Sequence, residues 1–184
     1  MIPAADFHAS WARLYGLAHR LAPDVECDSA DAVFLPIGLR LDDPTRPVVV
    51  SDYAATPAGA IPFASTGGDG VHFSVVPSAN AWPVVMTAPM AFTTPNHIVG
   101  GDLREFLALG CRIGYFRLER LAYSWGRQDL ISTLQTTTEP TRDPNEQSLL
   151  EALVAEFDLE PWHDAETRLA ELQATYRTAT VPSR

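Results

Sequence analysis

The spacing of apolar residues changes once along this chain, near Gly100, and that change limits the folds open to it. Before it, apolar residues gather in short runs broken by turn chemistry. These are "AVFLPI" at 32–37, "PVVVSDY" at 47–53, "AIPFA" at 60–64, "HFSVV" at 72–76 and "WPVVMTA" at 82–88, with "DDPTRP" as a turn between the first two. Beyond it, apolar residues recur every three or four positions: Ile113, Phe116, Leu121 and Trp125, then Leu130, Ile131 and Leu134. One helical stripe also precedes the strands. Phe7, Trp11, Leu14, Leu17 and Leu21 share a face over 6–21, with Asp6 as N-cap and Pro23 as the stop. Helix, short strands without helices between them, then helices is the order of an α+β fold. The expectation is a mostly antiparallel sheet of about four to six strands within 33–99, flanked by the N-terminal helix and the C-terminal helices. Pro83, Pro89 and Pro95 keep the later strands short or at an edge.

Local signals divide the second half. In "GGDLREFLALG", 100–110, Asp102 stands as N-cap with Glu105 three residues on, and Gly110 suits a left-handed stop. "TTTEPTRDPNE" reads as a linker over 136–146. After it, Leu149, Leu150, Leu153, Val154 and Phe157 mark one helix. Pro161 opens another, with Leu169, Leu172 and Tyr176 inward. This divides the chain into a domain over 1–135, the linker, and a helical extension over 147–184 that packs on the same domain.

Charge narrows the partners. The net charge is −10 and all 13 basic residues are arginine. Such a field repels a phosphate backbone, so nucleic acid is not expected as a partner and a basic protein is. Apolar runs are too short to span a bilayer. The start, "MIPAADFHASW", has neither a basic n-region nor an apolar h-region, and Cys27 and Cys111 form no CxxC pair. A cytoplasmic location without membrane contact is the expectation.

The most distinctive stretch is "FASTGGDGVHFSV", 63–75. A phosphate loop would need GxxxxGK[ST], or GxGxxG opening a helix, and here a strand follows the glycines. Gly67, Gly68 and Gly70 instead suit a tight turn with positive φ, in which Asp69 caps its own loop. In the strand beyond, Val71, Phe73 and Val75 share one face, and His72 and Ser74 the other, which places His72 on the outer face.

With "DLREFL" at 102–107, these pieces resemble the SUKH superfamily, which comprises the fungal glucan-synthesis-regulator type and many bacterial immunity proteins. Its members show a strand ending in "FA", a glycine-and-aspartate turn, an apolar strand and a later "xxFxEFL" helix. Residues 61–64, 67–70, 71–76 and 102–107 correspond to those pieces, and the resemblance covers roughly 60–110. Upstream, the family's "LP" and aromatic segment with "NG" is represented only by "VFLPIGL". The resemblance implies a noncatalytic interaction module, of the kind that binds and neutralises a toxin.

No GxSxG, HExxH or EF-hand loop occurs, and His8, His19, His72, His97 and His163 have no metal-ligand spacing, so neither metal nor cofactor is expected. Cys111 with His97 as base is the one nucleophile pairing to weigh, against a small buried thiol. Asp42–Asp43 reads as a turn rather than a glycosidase pair. Trp82, Trp125 and Trp162 read as core anchors. The expectation is a protein that is not an enzyme. The alternative is a small-molecule-binding protein or enzyme whose pocket is lined by Asp69, His72 and Trp82.

Overall fold

The computed structural model describes residues 4–48, 53–78, 81–135 and 142–181. Its centre is a five-stranded sheet in sequence order, each strand antiparallel to the next: β1 Arg40–Leu41, β2 Ile61–Ser65, β3 His72–Val75, β4 Val84–Thr87 and β5 Asn96–Gly100. The connections from β2 onward are too short for crossover helices, so β2 to β5 can pair only as a meander. His72 lies opposite Thr87, and Val75 opposite Val84. The 66–71 turn and the 88–95 connection therefore share one end of the sheet, and the 76–83 connection lies at the other. Pro83 and Pro89 bracket β4, which is why this inner strand is only four residues long. The register slips between Pro62 and Ala64, beside a residue with no N–H to give the ladder.

One face of the sheet meets α1 (Ala4–Leu21) and α2 (Leu103–Ile113). Phe106, from the first turn of α2, stands at the centre, with ring centroids 5.7 Å from Phe63, 4.8 Å from Phe73 and 5.1 Å from Tyr115. Trp11 of α1 is buried beside them, and its indole N–H donates to the Asp42 carbonyl at 3.0 Å. The other face is covered by 53–60 and by the end of the chain: α5 (Ala165–Thr175) lies on β5, and Asn96 Nδ2 donates to Ala55 O at 2.8 Å and Thr180 O at 3.0 Å. The strands β3, β4 and β5 are consequently buried along their whole length. Helix α3 (Ser124–Gln135) packs against a 3₁₀ segment, Phe116–Ala122. Helix α4 (Pro144–Phe157) packs on α2 and is tied to α1 by Glu156, which accepts from Arg13 at 2.8 Å and Arg20 at 2.7 Å. Residues of α4 and α5 join the same continuous apolar core as the sheet.

The α+β architecture and the antiparallel sheet are those expected; several local expectations are corrected. Helix α1 already runs at Ala4, so Asp6 lies inside it. "AVFLPI" forms two 3₁₀ turns, Ala30–Ala32 and Leu35–Ile37, instead of a strand. Pro36 and the left-handed Gly38 curl the chain, burying Val33, Phe34 and Ile37 and leaving Leu35 exposed, a pattern without strand alternation. Most of "PVVVSDY" lies outside the described residues. Helix α2 does not stop at Gly110 but at Gly114, whose φ of 82° makes the turn out of the helix. Pro144 is the first residue of α4, capped by Asp143, so the linker ends before 146. Helix α5 starts after Asp164, not at Pro161, because the Asp164 carboxylate accepts from Thr167 N at 3.0 Å. Trp162 is buried as expected, whereas Trp125 is exposed. No described helix is long and apolar enough to cross a membrane.

Candidate functional site

Residues 66–71 form a turn closed from within. Thr66 N donates to Val71 O at 3.1 Å, Val71 N donates to Gly68 O at 3.2 Å, and the Thr66 hydroxyl donates to Gly68 O at 3.2 Å. Gly67, Asp69 and Gly70 have φ of 81°, 51° and 71°. Aspartate tolerates that region better than most residues, which accounts for Asp69 between glycines. Its carboxylate does not cap the loop, however: the Thr66 hydroxyl takes that role, and Asp69 faces outward, exposed. A Cβ on Gly67 would fall 2.7 Å from Leu35 Cδ1, and one on Gly70 2.5 Å from the Tyr53 hydroxyl, while Gly68 has open space. Gly67→Ala and Gly70→Ala should therefore each lower stability by about 1 kcal/mol or more, with Gly68→Ala near neutral. Thermal melting of the three variants checks this, and equal melting temperatures would refute it.

His72 is not on an open face. It is buried, its ring stacked on Tyr53 at 6.0 Å and 17°. Nδ1 is 2.8 Å from the Gly70 carbonyl, an acceptor, so Nδ1 carries the proton and Nε2 accepts from the Thr56 hydroxyl at 3.1 Å. On the same face the Thr87 hydroxyl donates to Asn96 Oδ1 at 2.8 Å. Ser74 Oγ has no hydrogen-bond partner among the described residues. The outward face of the alternating pattern is thus a buried polar layer, tied to the segments that cover it through His72 to Thr56 and through Asn96 to the Ala55 and Thr180 carbonyls.

Burial pushes the His72 imidazole below its ordinary value, against the Gly70 carbonyl and Asp42, and burial does the same to His97. Both rings stay neutral where an unfolded chain would begin to take up protons, at about pH 6.5. The stabilisation is therefore complete above that pH and lost as pH falls below it towards the folded values. The melting temperature should decline from about pH 6.5 downward, and His72→Gln with His97→Gln should flatten that decline. An unchanged slope in the double variant would show that other groups carry it.

Trp82 lies at the far end of the β3–β4 ladder from His72. It stacks on Phe7 at 5.7 Å and 30° and meets the His8 ring edge-on at 5.8 Å. Asp69, His72 and Trp82 therefore do not line one pocket. Trp82 instead borders a groove of about 590 Å³ with Phe7, Ser10, Arg104 and Tyr176. A second groove, about 650 Å³, runs between α2 and residues 159–171. Glu105 and Arg168 form the ridge between them: Glu105 Oε1 accepts from Arg168 Nε at 2.6 Å, and Oε2 accepts from Gly101 N at 2.7 Å. Below it, the Trp162 indole N–H donates to Glu105 O at 3.1 Å.

The second groove is acidic because two helices start in it. Asp102 caps α2, accepting from Glu105 N at 2.9 Å, and Asp164 caps α5. With Glu105, Glu160 and Glu171 they set five carboxylates against the guanidiniums of Arg104 and Arg168. Hydrogen bonds from Thr167 hold Asp164 below the usual carboxylate range. Arg104 donates to Asp158 O at 2.7 Å, and Arg168 also pairs with Glu171 at 3.1 Å, so both guanidiniums are engaged. Only the Asp102–Glu105 pair signalled this groove in the sequence; residues 159–171 come from a distant segment.

The remaining candidates serve structure. Asp43 accepts from Thr45 N at 2.8 Å and from the Thr45 hydroxyl at 2.7 Å, and pairs with Arg46 at 3.2 Å, so it makes a turn. Cys111 Sγ is 3.9 Å from the Tyr115 hydroxyl and from Leu150 O, and burial pushes the thiol up to about 11. His97 Nε2 is bonded to Thr94 O at 2.9 Å on another element, and does not serve this thiol as a base. Among the described residues, no group of three or more His, Cys, Asp or Glu side chains is placed to hold a metal ion. No family model, curated protein or solved structure matches the chain.

Proposed function

We propose that this protein is a noncatalytic interaction module that binds a basic protein, in the manner of an immunity protein neutralising a toxin. The observation that carries this is the acid-lined groove between α2 and 159–171, with five carboxylates against two engaged guanidiniums on a chain of net charge −10. An acidic concave surface steers a basic partner and raises the encounter rate. The resemblance to the SUKH superfamily supports the same reading. Its four pieces fall on β2, the 66–71 turn, β3 and the first turns of α2, and Phe106 of α2 packs on Phe63 of β2 and Phe73 of β3.

The test isolates the partner on immobilised protein and follows binding at several salt concentrations. The on-rate should fall about tenfold or more between 0.01 and 0.1 M salt, as the Debye length shrinks from about 30 Å to about 10 Å, with the off-rate changing less. Glu160→Arg with Glu171→Arg should lower the on-rate and weaken that salt dependence. An acidic partner, or a turnover abolished by His72→Ala, would sink the reading.

A second reading keeps small-molecule binding, in the groove beside Trp82. Its volume, about 590 Å³, and the Phe7, Trp82 and Tyr176 rings on its wall suit a small ligand. Quenching of tryptophan fluorescence by a metabolite, lost in Trp82→Leu, would favour it.

A further inference from the structure

The glycine-turn end of the sheet leaves large apolar side chains in solvent. Phe92 is 83% exposed, Trp125 73% and Met90 61%, and Phe116, Tyr53 and Leu35 are exposed as well. Single exposed apolar residues are ordinary, but a shared patch marks a contact surface. Leu35 lies against Gly67 and Tyr53 against Gly70, where an added Cβ would fall 2.7 Å and 2.5 Å from them. Phe116 lies against Gly38, just beyond Leu35 in the chain. Tyr123 stacks on Trp125 at 5.7 Å and 18°, and donates to Glu119 Oε1 at 3.3 Å. Asp69, exposed between Gly67 and Gly70, adds the turn's carboxylate beside Leu35 and Tyr53. Met90 and Phe92 belong to the β4–β5 connection, which leaves the sheet at this end, because His72 is opposite Thr87 and Thr87 opposite Asn96.

Exposed rings with two carboxylates among them suit one chemistry. The stem of an arginine or lysine packs on apolar surface, its cation is attracted to an aromatic face, and a carboxylate completes the contact. Met and aromatic residues are also those enriched where proteins meet. A second copy of this chain is a poorer occupant, since each copy brings a charge of −10. We propose that this end of the sheet is a docking surface for a protein segment that presents an arginine or lysine flanked by apolar side chains. The surface is separate from the acid-lined groove. Helix α2 follows Gly100, which pairs with Val84 at the opposite end of the sheet.

The experiment is a peptide array probed with the labelled full chain. It carries four sets: arginine between leucines, glutamate between leucines, arginine between serines, and leucine alone. Capture should be strongest on the first set. Trp125→Ala and Asp69→Asn should each weaken it about tenfold or more, asparagine being chosen because it tolerates the positive φ at 69. Glu160→Arg, in the groove, should leave it unchanged, so that failure of the groove and failure of this surface are read apart. Melting temperatures check folding, and Phe92→Ala serves as the second variant where Trp125→Ala proves unstable. No capture, equal capture by the glutamate set, or capture indifferent to Trp125 and Phe92 would overturn the proposal. So would a dimer seen in sedimentation that Trp125→Ala abolishes, which would give the surface to a second copy through Arg117 or Arg127 and the carboxylates.

Discussion

Phe106→Ala should lower the unfolding free energy by about 3–5 kcal/mol. The ring is fully buried and touches Phe63 of β2, Phe73 of β3 and Tyr115 beyond α2. Removing it takes away the apolar contact that joins the sheet to α2, and leaves a cavity walled by three other rings that cannot all collapse into it. For a domain whose total stability is of order 5–15 kcal/mol, the loss is a large part of the whole. Urea unfolding measures it: the midpoint should fall with the slope unchanged. A loss below about 1 kcal/mol would mean that the surrounding rings repack freely, contrary to the density expected of such a core.

Gly110→Ala should destabilise by about 1–3 kcal/mol or more, although alanine is the better helix former by up to about 1 kcal/mol. Gly110 lies inside α2, and a Cβ there would overlap the Tyr115 ring at Cε1 and Cζ. The Tyr115 ring cannot retreat without loss. It is fully buried, packs on Phe106, and its hydroxyl donates to Leu107 O at 3.0 Å. Because the cost comes from one contact, it should be non-additive. In a chain already carrying Tyr115→Leu, the same alanine should cost less than it does alone. A melting temperature that rises in Gly110→Ala would show that propensity outweighs the contact.

Gly110 also marks where local reasoning ends. A glycine closing an apolar helical stripe reads as a C-cap, and Gly114, four residues on, offers the same signal. The close approach of Tyr115 requires the chain to turn at Gly114 and fold back, which only the packed structure contains. His72 repeats the lesson. Alternation correctly put Phe73 and Val75 on one face and His72 with Ser74 on the other. Whether that second face met water depended on 53–60 and on the chain end, reaching the sheet through bonds such as Asn96 to Thr180 across 84 positions. Trp125 shows the converse: its helical spacing suggested the core, but the 3₁₀ segment before α3 turns it into solvent.

What the sequence by itself determined is what acts between near neighbours. The change of apolar period separated the sheet region from the later helices, though it did not tell "AVFLPI" from a strand. The prolines kept the strands short, the glycines at 67 and 70 made the turn, and Asp102 with Glu105 opened α2. These depend on backbone sterics and on hydrogen bonds spanning two to four residues, so the residue types and their spacing suffice. Tertiary structure alone decided which sheet face was covered, which acids shared a groove and which rings stayed in solvent. Those outcomes depend on where distant segments come to lie, and burial is a property of all the segments that meet at a place.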